Sequence, residues 1–573
     1  MPTQPPTPPA PTNAGPDVTQ PAAEPSAAHP TPTSLPSAEG WFRGMTTEQK
    51  IGQVMVIGFD GVEATPELLE MVTRYHVGGV ILFARNVESP AQVARLTNTL
   101  QKAAVESGHP GLIVAVDQEG GRVARLTEDK GFTEFPGAMA VAATGDLEVA
   151  RDVARAMATE LRAVGINTNF APDLDVNNNP QNPVIGIRSY GSEPERVAEF
   201  GVTAITAMQE AGVLAVGKHF PGHGDTGVDS HVSLPLVPHD RERLNAVEFV
   251  PFRAAIEADV AGIMSAHITF PAIEATPGLP ATLSPAVLQD LLRGEMGYDG
   301  LVFTDSLEMG ALGEAGYPVP LAAATALQSG ADVLLFNRDH SHHKAAIQIV
   351  AQWVEESKIT QSRLDEAVLR TLKAKERFGM LQPQLVDESA VDTLVGSEEA
   401  KLASGRAAIR SITLLKEGSS SDRDRLLPLS KDKSYVVIES AGARGVGKAL
   451  ELDTLTLSVD AGVREANRVA DTAAGQKPDA VIIATTDAVS SEAQAALVNR
   501  LIDSGTPVIA VAVRGPYDVL AYPRVDTYVL TYGLNPPALR ALAIMMWNTS
   551  SSGILPVEIP GMFEPGYGIL RGG

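Results

Sequence analysis

Residues 112–117 read LIVAVD, and this short stretch decides the fold class. Its five apolar residues would be buried on both faces of a strand, which is typical of a parallel sheet covered by helices. The run ends in an acidic residue, Asp117. Helical periodicity precedes it over 91–107 and follows it over 145–164. The stretch therefore indicates one strand of an alternating β/α chain.

The same alternation extends over most of the chain. Seven further runs share this character: VMVIGF (54–59), GGVILF (78–83), TNFAPDLDV (168–176), VLAVGKHF (213–220), AGIMSAH (261–267), LVFTD (301–305) and ADVLLF (331–336). The other helical candidates are 65–75, 193–211, 246–258, 284–296 and 319–329. Eight such units that close on themselves form a (β/α)8 TIM-type barrel, which we predict for residues 41–385. A doubly wound sheet stays open as the alternative, because a count of strands does not prove closure.

Polar side chains fall at the carboxyl ends of these runs. They are Asp117, Asp173, Asp175, Lys218, His219, His267 and Asp305, and Asn337 follows the eighth run. The carboxyl ends of barrel strands meet at one mouth, where the active sites of this architecture lie. A single carboxylate in such a place has the alternative role of capping the next helix, but the whole set favours a site.

A second α/β pattern follows a polar connector, which we place at 386–410. Its strand candidates are 411–418, 434–440, 454–459, 479–486, 506–513 and 526–532, with helical patterns at 462–474 and 491–504. This pattern predicts a smaller α/β sandwich domain over 411–573. The segment GARGVG (442–447) lacks the full dinucleotide fingerprint and is interpreted as a turn.

The first forty residues differ from the rest in composition. Twelve of them are proline and most others are Ala, Thr or Ser, so we predict a disordered tail over 1–40. The chain of 573 residues carries a net charge of −24 and no cysteine. The acidic charge argues against a nucleic-acid or anionic-membrane partner. The lack of cysteine excludes disulfides, thiolate nucleophiles and Cys-based zinc sites.

No apolar run is long enough to cross a membrane, so no transmembrane segment is predicted. No basic region followed by an apolar region marks a secretory signal, which favours a cytoplasmic location. An exported or envelope-associated location stays open, since Pro-rich tails often tether exported enzymes to a cell envelope.

The chemically most unusual stretch is KHFPGHGDTGVDSHVSLP (218–235). It is too rich in glycine for a regular element, and its side chains suit a metal site, an acid/base site or a solvated loop. A metal site would use His219, His223, Asp225, Asp229 and His231. Pro221 and the glycines disfavour the helix that His-x₃-His ligation suits, and Lys218 would oppose a dication. We therefore predict no metal.

Three stretches resemble glycoside hydrolase family 3, and within it the bacterial β-N-acetylglucosaminidase branch. They are KHFPGHGDTGVDSH (218–231), DQEGGRVARL (117–126) and FTDSLEM (303–309), and RSYG (188–191) lies where that branch carries an arginine. The segments TLLK to LPL (413–429) and ILPVEIPG (554–561) resemble the start and end of the family's C-terminal domain. The resemblance covers nearly everything after the tail and indicates the form with an added C-terminal domain.

The resemblance implies a retaining exo-β-N-acetylglucosaminidase that acts on terminal β-linked GlcNAc, with peptidoglycan fragments such as muropeptides as natural substrate. Asp305 matches the nucleophile, and His231 with Asp229 matches the acid/base dyad. Five further residues match those that hold the sugar: Asp117, Arg125, Arg188, Lys218 and His219. No metal or organic cofactor is expected, and the oligomeric state is left open.

The chemistry of these residues agrees with the implied roles. A retaining glycosidase needs a carboxylate that attacks C1 and a proton donor for the leaving oxygen. Imidazole, with a free pKa of about 6.5, changes its protonation near neutral pH, and an aspartate can orient it. Asp229 and His231 are two positions apart and point the same way in an extended chain. Lys218 and His219 are adjacent, so a cis-like kink or a strand end is needed for both to contact substrate.

Other functions stay open at this point. An imidazole donor does not repel phosphate as a carboxylate would, so a β-N-acetylglucosaminide phosphorylase, a glycosyltransferase to phosphate, is one alternative. A β-glucosidase-type family 3 hydrolase is another. A non-catalytic sugar-binding protein would be expected to lack the nucleophile or the dyad, and both are present.

Three expectations concern residues and segments outside these roles. His267 is balanced between a substrate contact and a satisfied core histidine. His223 and Asp225 are expected to shape the loop rather than to contact substrate. In the glucosidase branches of the family the C-terminal domain supplies the acid/base residue, whereas here a barrel loop supplies a histidine. We therefore predict that loss of the second domain reduces stability more than the chemical step.

Overall fold

The computed structural model describes residues 6, 7, 9, 37–418, 425–548 and 550–571. Ser37–Gly573 is one compact unit that holds two sheets. The predicted disordered tail over 1–40 lies largely outside the described residues, and its last residues begin the first helix, α1 (Ala38–Gly44).

The first sheet takes one strand from each of the eight apolar runs. The strands are β1 (Met55–Ile57), β2 (Gly79–Leu82), β3 (Ile113–Val116), β4 (Thr168–Asn169), β5 (Leu214–Phe220), β6 (Gly262–Ser265), β7 (Leu301–Thr304) and β8 (Leu334–Phe336). All pairs are parallel, in the order β7-β6-β5-β4-β3-β2-β1-β8. The circle closes where the Thr304 N–H donates to the Val333 carbonyl at 2.9 Å. The predicted barrel is confirmed, and the doubly wound alternative is wrong.

Helices surround this sheet, and most of them lie between its strands in sequence. They are α1, α2 (Thr47–Gln53), α3 (Pro66–Thr73), α4 (Pro90–Glu106), α5 (Ala138–Ala143), α6 (Leu147–Ala163), α7 (Pro194–Glu210), α8 (Arg241–Ala246), α9 (Val250–Glu257), the π-helical segment Ala286–Glu295, α10 (Gly310–Glu314), α11 (Val319–Ser329), α12 (His340–Glu355) and α13 (Gln361–Arg377). Several begin at a side-chain cap, such as Ser89 at α4 and Thr360 at α13, which satisfies first-turn N–H groups. No helix of the described residues is both long and apolar enough to cross a membrane.

The fourth strand is shorter than the apolar run that predicts it. The run covers 168–176, but only Thr168–Asn169 is strand. Pro172 has no N–H to donate to a ladder, and Asp173 makes only an isolated bridge with Lys218. The carboxylates at the end of this run therefore lie on irregular backbone at the mouth of the barrel.

Apolar side chains fill the barrel interior below the mouth. The rings of Phe170 and Phe303 meet edge to face with centroids 5.4 Å apart. Ile113 and Met264 belong to the same buried cluster. Because the interior is packed, the polar strand ends are left at the carboxyl edge, where they line a cavity.

The second sheet forms the predicted smaller α/β domain. Its strands are β9 (Thr413–Lys416), β10 (Tyr435–Ser440), β11 (Thr454–Leu457), β12 (Ala480–Thr485), β13 (Val508–Ala512) and β14 (Thr527–Leu530), in the order β11-β10-β12-β13-β14-β9. Only β9 is antiparallel to its neighbour. Helices α14 (Val391–Leu394) and α15 (Glu398–Ser411) precede β9, and α16 (Val446–Leu450), α17 (Val463–Gly475), α18 (Glu492–Asp503) and α19 (Pro536–Asn548) follow it.

The segment predicted as a linker, 386–410, contains two helices, α14 (Val391–Leu394) and most of α15 (Glu398–Ser411). Helix α15 contacts α5 and α6 of the barrel and α19 of the second domain. Four barrel residues are buried in the same apolar cluster as the second domain: Met139, Ala140, Ala143 and Ile187. The two domains thus share a core, and the predicted boundaries at 41, 385 and 411 stay predictions.

Candidate active site

A cavity of about 310 Å³ opens at the carboxyl ends of the barrel strands. Its polar lining residues are Asp117, Glu119, Arg125, Arg188, Lys218, His219, His223, Ser230, His231, Asp305, Ser306, Glu308 and Asn337. Seven of the eight predicted site residues line it, and the eighth, Asp229, holds the ring of His231. The polar ends of several barrel strands therefore meet in one cavity.

Asp305 follows directly after β7, a fully buried strand. Its N–H donates to the Ser265 carbonyl at 3.2 Å, and its Oδ1 accepts the Ser306 N–H at 2.7 Å. Burial raises the pKa of this carboxyl, but the His267 ring and the hydrogen bond from the Ser306 N–H lower it below its ordinary value. The side chain is therefore an ionised carboxylate fixed at the end of a rigid strand.

The stretch 218–235 continues from β5 into a loop with a defined frame. His223 is buried, with Nδ1 2.8 Å from Oγ1 of Thr226 and Nε2 2.9 Å from Oγ of Ser230. Burial lowers the pKa of His223 to about 3, so the ring is neutral at ordinary pH. The neutral ring of His223 thus contacts Thr226 and Ser230, and these two contacts hold the segment 223–230 of the loop in place.

Further contacts tie this loop to the barrel. Gly224 passes so close to Val176 that an added Cβ would lie 1.8 Å from the Val176 carbonyl oxygen, which only glycine avoids. Oδ2 of Asp225 lies 2.7 Å from Nε2 of His239. The prediction that His223 and Asp225 shape the loop agrees with these contacts.

Asp229 and His231 meet as their spacing predicts. Oδ1 of Asp229 lies 2.8 Å from Nδ1 of His231 and accepts the backbone N–H of His231 at 2.8 Å. Partial burial raises the pKa of Asp229, but the hydrogen bonds from His231 lower it below its ordinary value. Because Nδ1 faces the carboxylate, Nε2 is the nitrogen that remains for a substrate. The His231 side chain is 62% exposed.

A buried ion network joins the ends of β3 and β5. Nζ of Lys218 lies 2.8 Å from Oδ1 of Asp117 and 2.7 Å from Oε1 of Glu119. Glu119 also accepts two hydrogen bonds from Arg188, from Nε at 2.9 Å and from Nη2 at 2.8 Å. Burial opposes ionisation of these groups, but the opposite charges outweigh it and lower the pKa of Glu119 while raising that of Lys218. The cavity floor therefore carries fixed charges of both signs.

Arg125 lies at the edge of this network. Its Nη2 is 3.6 Å from Oδ2 of Asp117, and its side chain is about one quarter exposed at 26%. Its Nε has no hydrogen-bond partner among the residues that the structure describes. Arg125 thus lies beside Asp117 with its Nε buried.

Lys218 and His219 both line the cavity although they are adjacent. The peptide bond between them is cis, and the β5–β6 register shifts between Lys218 and Phe220. The predicted cis-like kink is confirmed.

The ring of His219 is held by a carboxylate behind the cavity. Its Nδ1 lies 2.7 Å from Oδ2 of Asp175, whose oxygens also accept the His219 and His223 backbone N–H groups. Burial, with the neighbouring Arg188 and Lys218 cations, lowers the pKa of His219 to about 3. Burial raises the pKa of Asp175 to about 6. The imidazole is thus neutral and fixed in orientation.

Comparison with known protein families identifies the family of the chain that carries these site residues. The family model described as the glycosyl hydrolase family 3 N-terminal domain matches residues 46–374, more than half of the chain. The chain belongs to glycosyl hydrolase family 3. The resemblance of the three motif stretches to this family is therefore confirmed.

Individual relatives place this family 3 chain among bacterial β-hexosaminidases. A β-hexosaminidase A from Pseudoalteromonas piscicida is 32% identical and matches 93% of this chain and 99% of that protein. A β-hexosaminidase from Alkalilimnicola ehrlichii is 41% identical over 49% of this chain and 79% of its own length. The solved structure of a family 3 β-N-acetylglucosaminidase from Paenibacillus sp. str. FPU-7 matches at 40% identity with a TM-score of 0.83, over 90% of this chain and 99% of that chain.

Sequence reasoning did not select two residues on which this family 3 site depends. Glu119 binds both cations, Lys218 and Arg188, and Asp175 orients His219. A signal for Glu119 exists in the sequence, because it lies two positions after Asp117 and so on the same side of an extended chain. Asp175 follows Asp173 in the same way, but a capping role is equally consistent with that spacing.

His267 is a satisfied core histidine beneath the site. Its Nδ1 lies 2.9 Å from Oγ1 of Thr282 and its Nε2 2.9 Å from the Ser306 carbonyl, and it is 1% exposed. Its ring supports the Ser306 backbone next to Asp305. Of the two expectations for this residue, the structure agrees with the core role.

One cluster has the donor atoms of a cation site. Ligand atoms of Asp173, Asp175 and His219 lie within 4.8 Å of one another. Nη2 of Arg188 lies 3.6 Å from Oδ2 of Asp173, so a guanidinium already supplies positive charge there. We interpret the cluster as part of the ion network, and the expectation of no metal stays a prediction.

Proposed function

We propose that this family 3 enzyme is a retaining exo-β-N-acetylglucosaminidase that hydrolyses terminal β-linked GlcNAc. The observation that carries the proposal is that Asp305 and the ring of His231, held by Asp229, line one cavity. Its volume of about 310 Å³ lies at the lower end of the range of roughly 300–1,000 Å³ for small-molecule sites, which supports binding of a single terminal sugar. The relatives named as β-hexosaminidases support the same activity.

In the first half of the reaction, Asp305 attacks the anomeric carbon of the sugar. The bond from C1 to the leaving oxygen breaks as the bond from C1 to the carboxylate oxygen forms, which gives a covalent glycosyl ester. An ionised carboxylate at the end of a buried strand suits this role, because it is already positioned and needs no deprotonation.

His231 performs the proton transfers in both halves. Nε2 gives its proton to the leaving oxygen, and in the second half the same nitrogen takes a proton from the water that attacks C1. The charge that forms on the ring is stabilised by Asp229, which accepts from Nδ1 at 2.8 Å. The exposure of His231 supports a loop that covers the sugar only when it is bound.

The remaining predicted residues bind the hydroxyl and amide groups of the sugar. Asp117 accepts while Lys218 and Arg125 donate, and their mutual contacts fix each side chain before substrate arrives. Arg188 and the neutral ring of His219 complete the set on the neighbouring wall, with Nη2 and Nε2 3.4 Å apart. We propose that these five residues form the sugar subsite.

The natural substrate that we propose is a GlcNAc-containing peptidoglycan fragment such as a muropeptide. This part of the proposal rests on the resemblance of the motif stretches and not on a contact in the site. Peptidoglycan recycling would be the corresponding process.

A phosphorylase is the second candidate, and one observation favours it. The proposed proton donor is an imidazole, so no carboxylate at that position would repel a phosphate that approaches C1. The cations of Lys218 and Arg188 are paired with Glu119 rather than free for phosphate, which favours water as the acceptor.

Turnover of p-nitrophenyl sugars with and without phosphate tests the proposal. Release of GlcNAc from its aryl β-glycoside, at a rate independent of phosphate, is expected. Formation of GlcNAc 1-phosphate would identify a phosphorylase, and preference for the aryl β-glucoside would identify a β-glucosidase. Asp305→Ala is expected to abolish turnover, while Asp290→Ala, which changes an exposed acid on the π-helical segment, is expected to leave it unchanged.

A further inference from the structure

A second cavity, which we call the interdomain pocket, lies between the barrel and the C-terminal domain. It has a volume of about 280 Å³. Its barrel wall is Arg122 with the segment 180–187, and its other wall is formed by 487–490 and 514–518. These last two segments follow the carboxyl ends of β12 and β13, and ligands of open α/β sheets bind outside such strand ends.

One chain segment separates the interdomain pocket from the catalytic cavity. Val184 and Arg188 line the catalytic cavity, whereas Ile185 and Ile187 line the interdomain pocket. Asn182 lines the pocket too, and its Nδ2 donates to the carbonyl of His223 in the catalytic loop at 2.9 Å. The pocket therefore lies immediately next to the catalytic cavity, with this segment as the shared wall.

The pocket lies on the side of the proposed acid/base dyad. Asn182 of its lining donates from Nδ2 to the carbonyls of His223 at 2.9 Å and Gly224 at 2.8 Å, in the loop that carries Asp229 and His231. The group that leaves C1 must pass the proton donor, and Asp229 holds that donor. The leaving group therefore departs on the side of this loop, to which the pocket residue Asn182 is hydrogen-bonded.

The charge of the pocket contrasts with that of the protein. The chain carries a net charge of −24, yet two of the pocket's residues are arginines, Arg122 and Arg514. Arg122 is exposed and makes no hydrogen bond or ion pair within the described ranges. Arg514 is paired with Asp487. A guanidinium without a partner at the wall of a pocket has donors for a planar anion.

Asp518 is the second acidic residue of the pocket, after Asp487, and it does not fully neutralise the positive charge of the two arginines. Asp518 is buried and its Oδ1 accepts the Ala488 N–H at 2.7 Å. Burial raises the pKa of Asp518 to about 7, so part of its population is neutral at neutral pH. The local balance is therefore less acidic than elsewhere on the chain.

We propose that the interdomain pocket is a subsite for a carboxylate on the leaving group of the substrate, with Arg122 as its main contact and Arg514 as its second. This inference rests on the proposed glycosidase function and adds to it the chemical class of the leaving group. A carboxylate matches the planar fork of a guanidinium and forms paired charge-assisted hydrogen bonds with it. The second domain then has a role in substrate selection, because it supplies Arg514.

Two sources of carboxylate fit this chemistry, a lactyl ether on the adjoining sugar and a peptide attached through that ether. Three substrates separate them: the neutral disaccharide GlcNAc-β-1,4-GlcNAc, GlcNAc-β-1,4-N-acetylmuramic acid, and the latter with its lactyl group in amide linkage to alanine. The readout is kcat/KM for each anionic disaccharide divided by kcat/KM for the neutral one.

In Arg122→Gln this ratio is expected to fall about tenfold, which corresponds to about 1.4 kcal/mol. Asp487→Asn removes the competing acid from Arg514 and is expected to raise the ratio by about threefold, the size of one exposed charge interaction. The φ of 53° at Asp487 is a conformation that asparagine also adopts. The control is Arg524→Gln. Arg524 is an exposed arginine of the C-terminal domain that is ion-paired and lies outside the pocket, so the ratio for this variant should equal that of the wild type.

A fall confined to the lactyl acid identifies the lactyl group, and a fall confined to the alanine conjugate identifies the peptide; either outcome supports the subsite. Equal ratios for wild type, Arg122→Gln and Arg524→Gln on both anionic substrates would overturn it while the glycosidase function stands. A wild-type enzyme that cleaves neither the neutral disaccharide nor an aryl N-acetylglucosaminide would refute the proposed function, and the subsite with it.

Discussion

Nδ1 of His231 lies 2.8 Å from Oδ1 of Asp229, in a loop where both side chains face solvent in part. This contact leaves Nε2 as the nitrogen that can exchange a proton with a substrate. The proposed reaction therefore depends on two residues that are only two positions apart in the chain.

The first prediction concerns this pair. His231→Ala should reduce kcat/KM by about 10²–10⁴-fold for substrates with a poor leaving group, because proton donation to the leaving oxygen is lost. Aryl glycosides whose phenol has a low pKa need little protonation and should lose much less. The measurement is kcat/KM against leaving-group pKa for both proteins.

Val232→Ala is the matched control, since Val232 is the next residue in the loop and is 74% exposed. Its dependence on leaving-group pKa should equal that of the wild type. A uniform loss across all leaving groups in His231→Ala would mean that the ring only positions the loop.

The second prediction concerns the centre of the ion network. Glu119→Gln leaves Lys218 and Arg188 buried with one opposite charge fewer. Removal of one partner from a buried ion pair costs about 3–5 kcal/mol, so the free energy of unfolding in urea should fall by about 3 kcal/mol. Glu128→Gln, in an exposed pair with Arg540, should cost less than about 1 kcal/mol. Equal, small losses in the two variants would contradict the network's structural role.

The third prediction concerns acid stability. Both ring nitrogens of the buried His343 lack a hydrogen-bond partner among the described residues, and burial lowers its pKa to about 3. Since the unfolded chain has the higher pKa of about 6.5, it binds the proton first, and stability is lost as pH falls from about 6.5 toward 3.

His343→Leu should remove this dependence. The stability advantage of the variant over the wild type should grow by about 2 kcal/mol between pH 8 and pH 5, measured by chemical denaturation at each pH. Ile347→Val on the same helix, α12, does not titrate and should show one constant difference at both pH values. An advantage of His343→Leu that is equal at both pH values would show that this ring does not contribute to acid sensitivity.

The fourth prediction concerns the second domain. Met139 of the barrel is fully buried in the cluster shared with the C-terminal domain. Met139→Ala should lower the free energy of unfolding by about 2–5 kcal/mol, whereas kcat on an aryl N-acetylglucosaminide at 25 °C should stay within about twofold. Leu147→Ala, at a surface position 37% exposed, should change neither. A loss of kcat without a loss of stability would mean that domain contact acts on the chemical step.

Much of the fold could be predicted because its signals are local. Each of the eight strands lies within an apolar run, since a strand buried on both faces must be apolar throughout. The end of β4 could not be predicted in this way, because the backbone beyond Asn169 leaves the ladder to place Asp173 and Asp175 against partners from β5 and from Arg188.

The candidate site likewise contains residues with a local sequence signal and residues without one. Asp305 and the Asp229–His231 pair are short-range features at a strand end and in one loop. Glu119 is different, because its role appears only when Lys218 and Arg188 reach it from 99 and 69 positions away. Its spacing from Asp117 indicates only which side of the chain it faces, and does not distinguish a buried ion partner from a surface charge.

The interdomain pocket could not be predicted from the sequence at all. Arg122 and Arg514 are separated by most of the chain, and their proximity depends on how the two domains pack. In the sequence alone, an arginine at either position cannot be distinguished from an ordinary solvent-exposed arginine.

In the proposed reaction, Asp305 forms a covalent bond to the sugar in every turnover. Incubation with 2-acetamido-2-deoxy-5-fluoroglucosyl fluoride, which forms the glycosyl ester faster than water removes it, followed by mass spectrometry of proteolytic peptides, tests it directly. We expect a single added glycosyl group on the peptide that contains Asp305, and none in Asp305→Ala. A label on another carboxylate, or an unlabelled Asp305 in enzyme that the reagent inactivates, would contradict it.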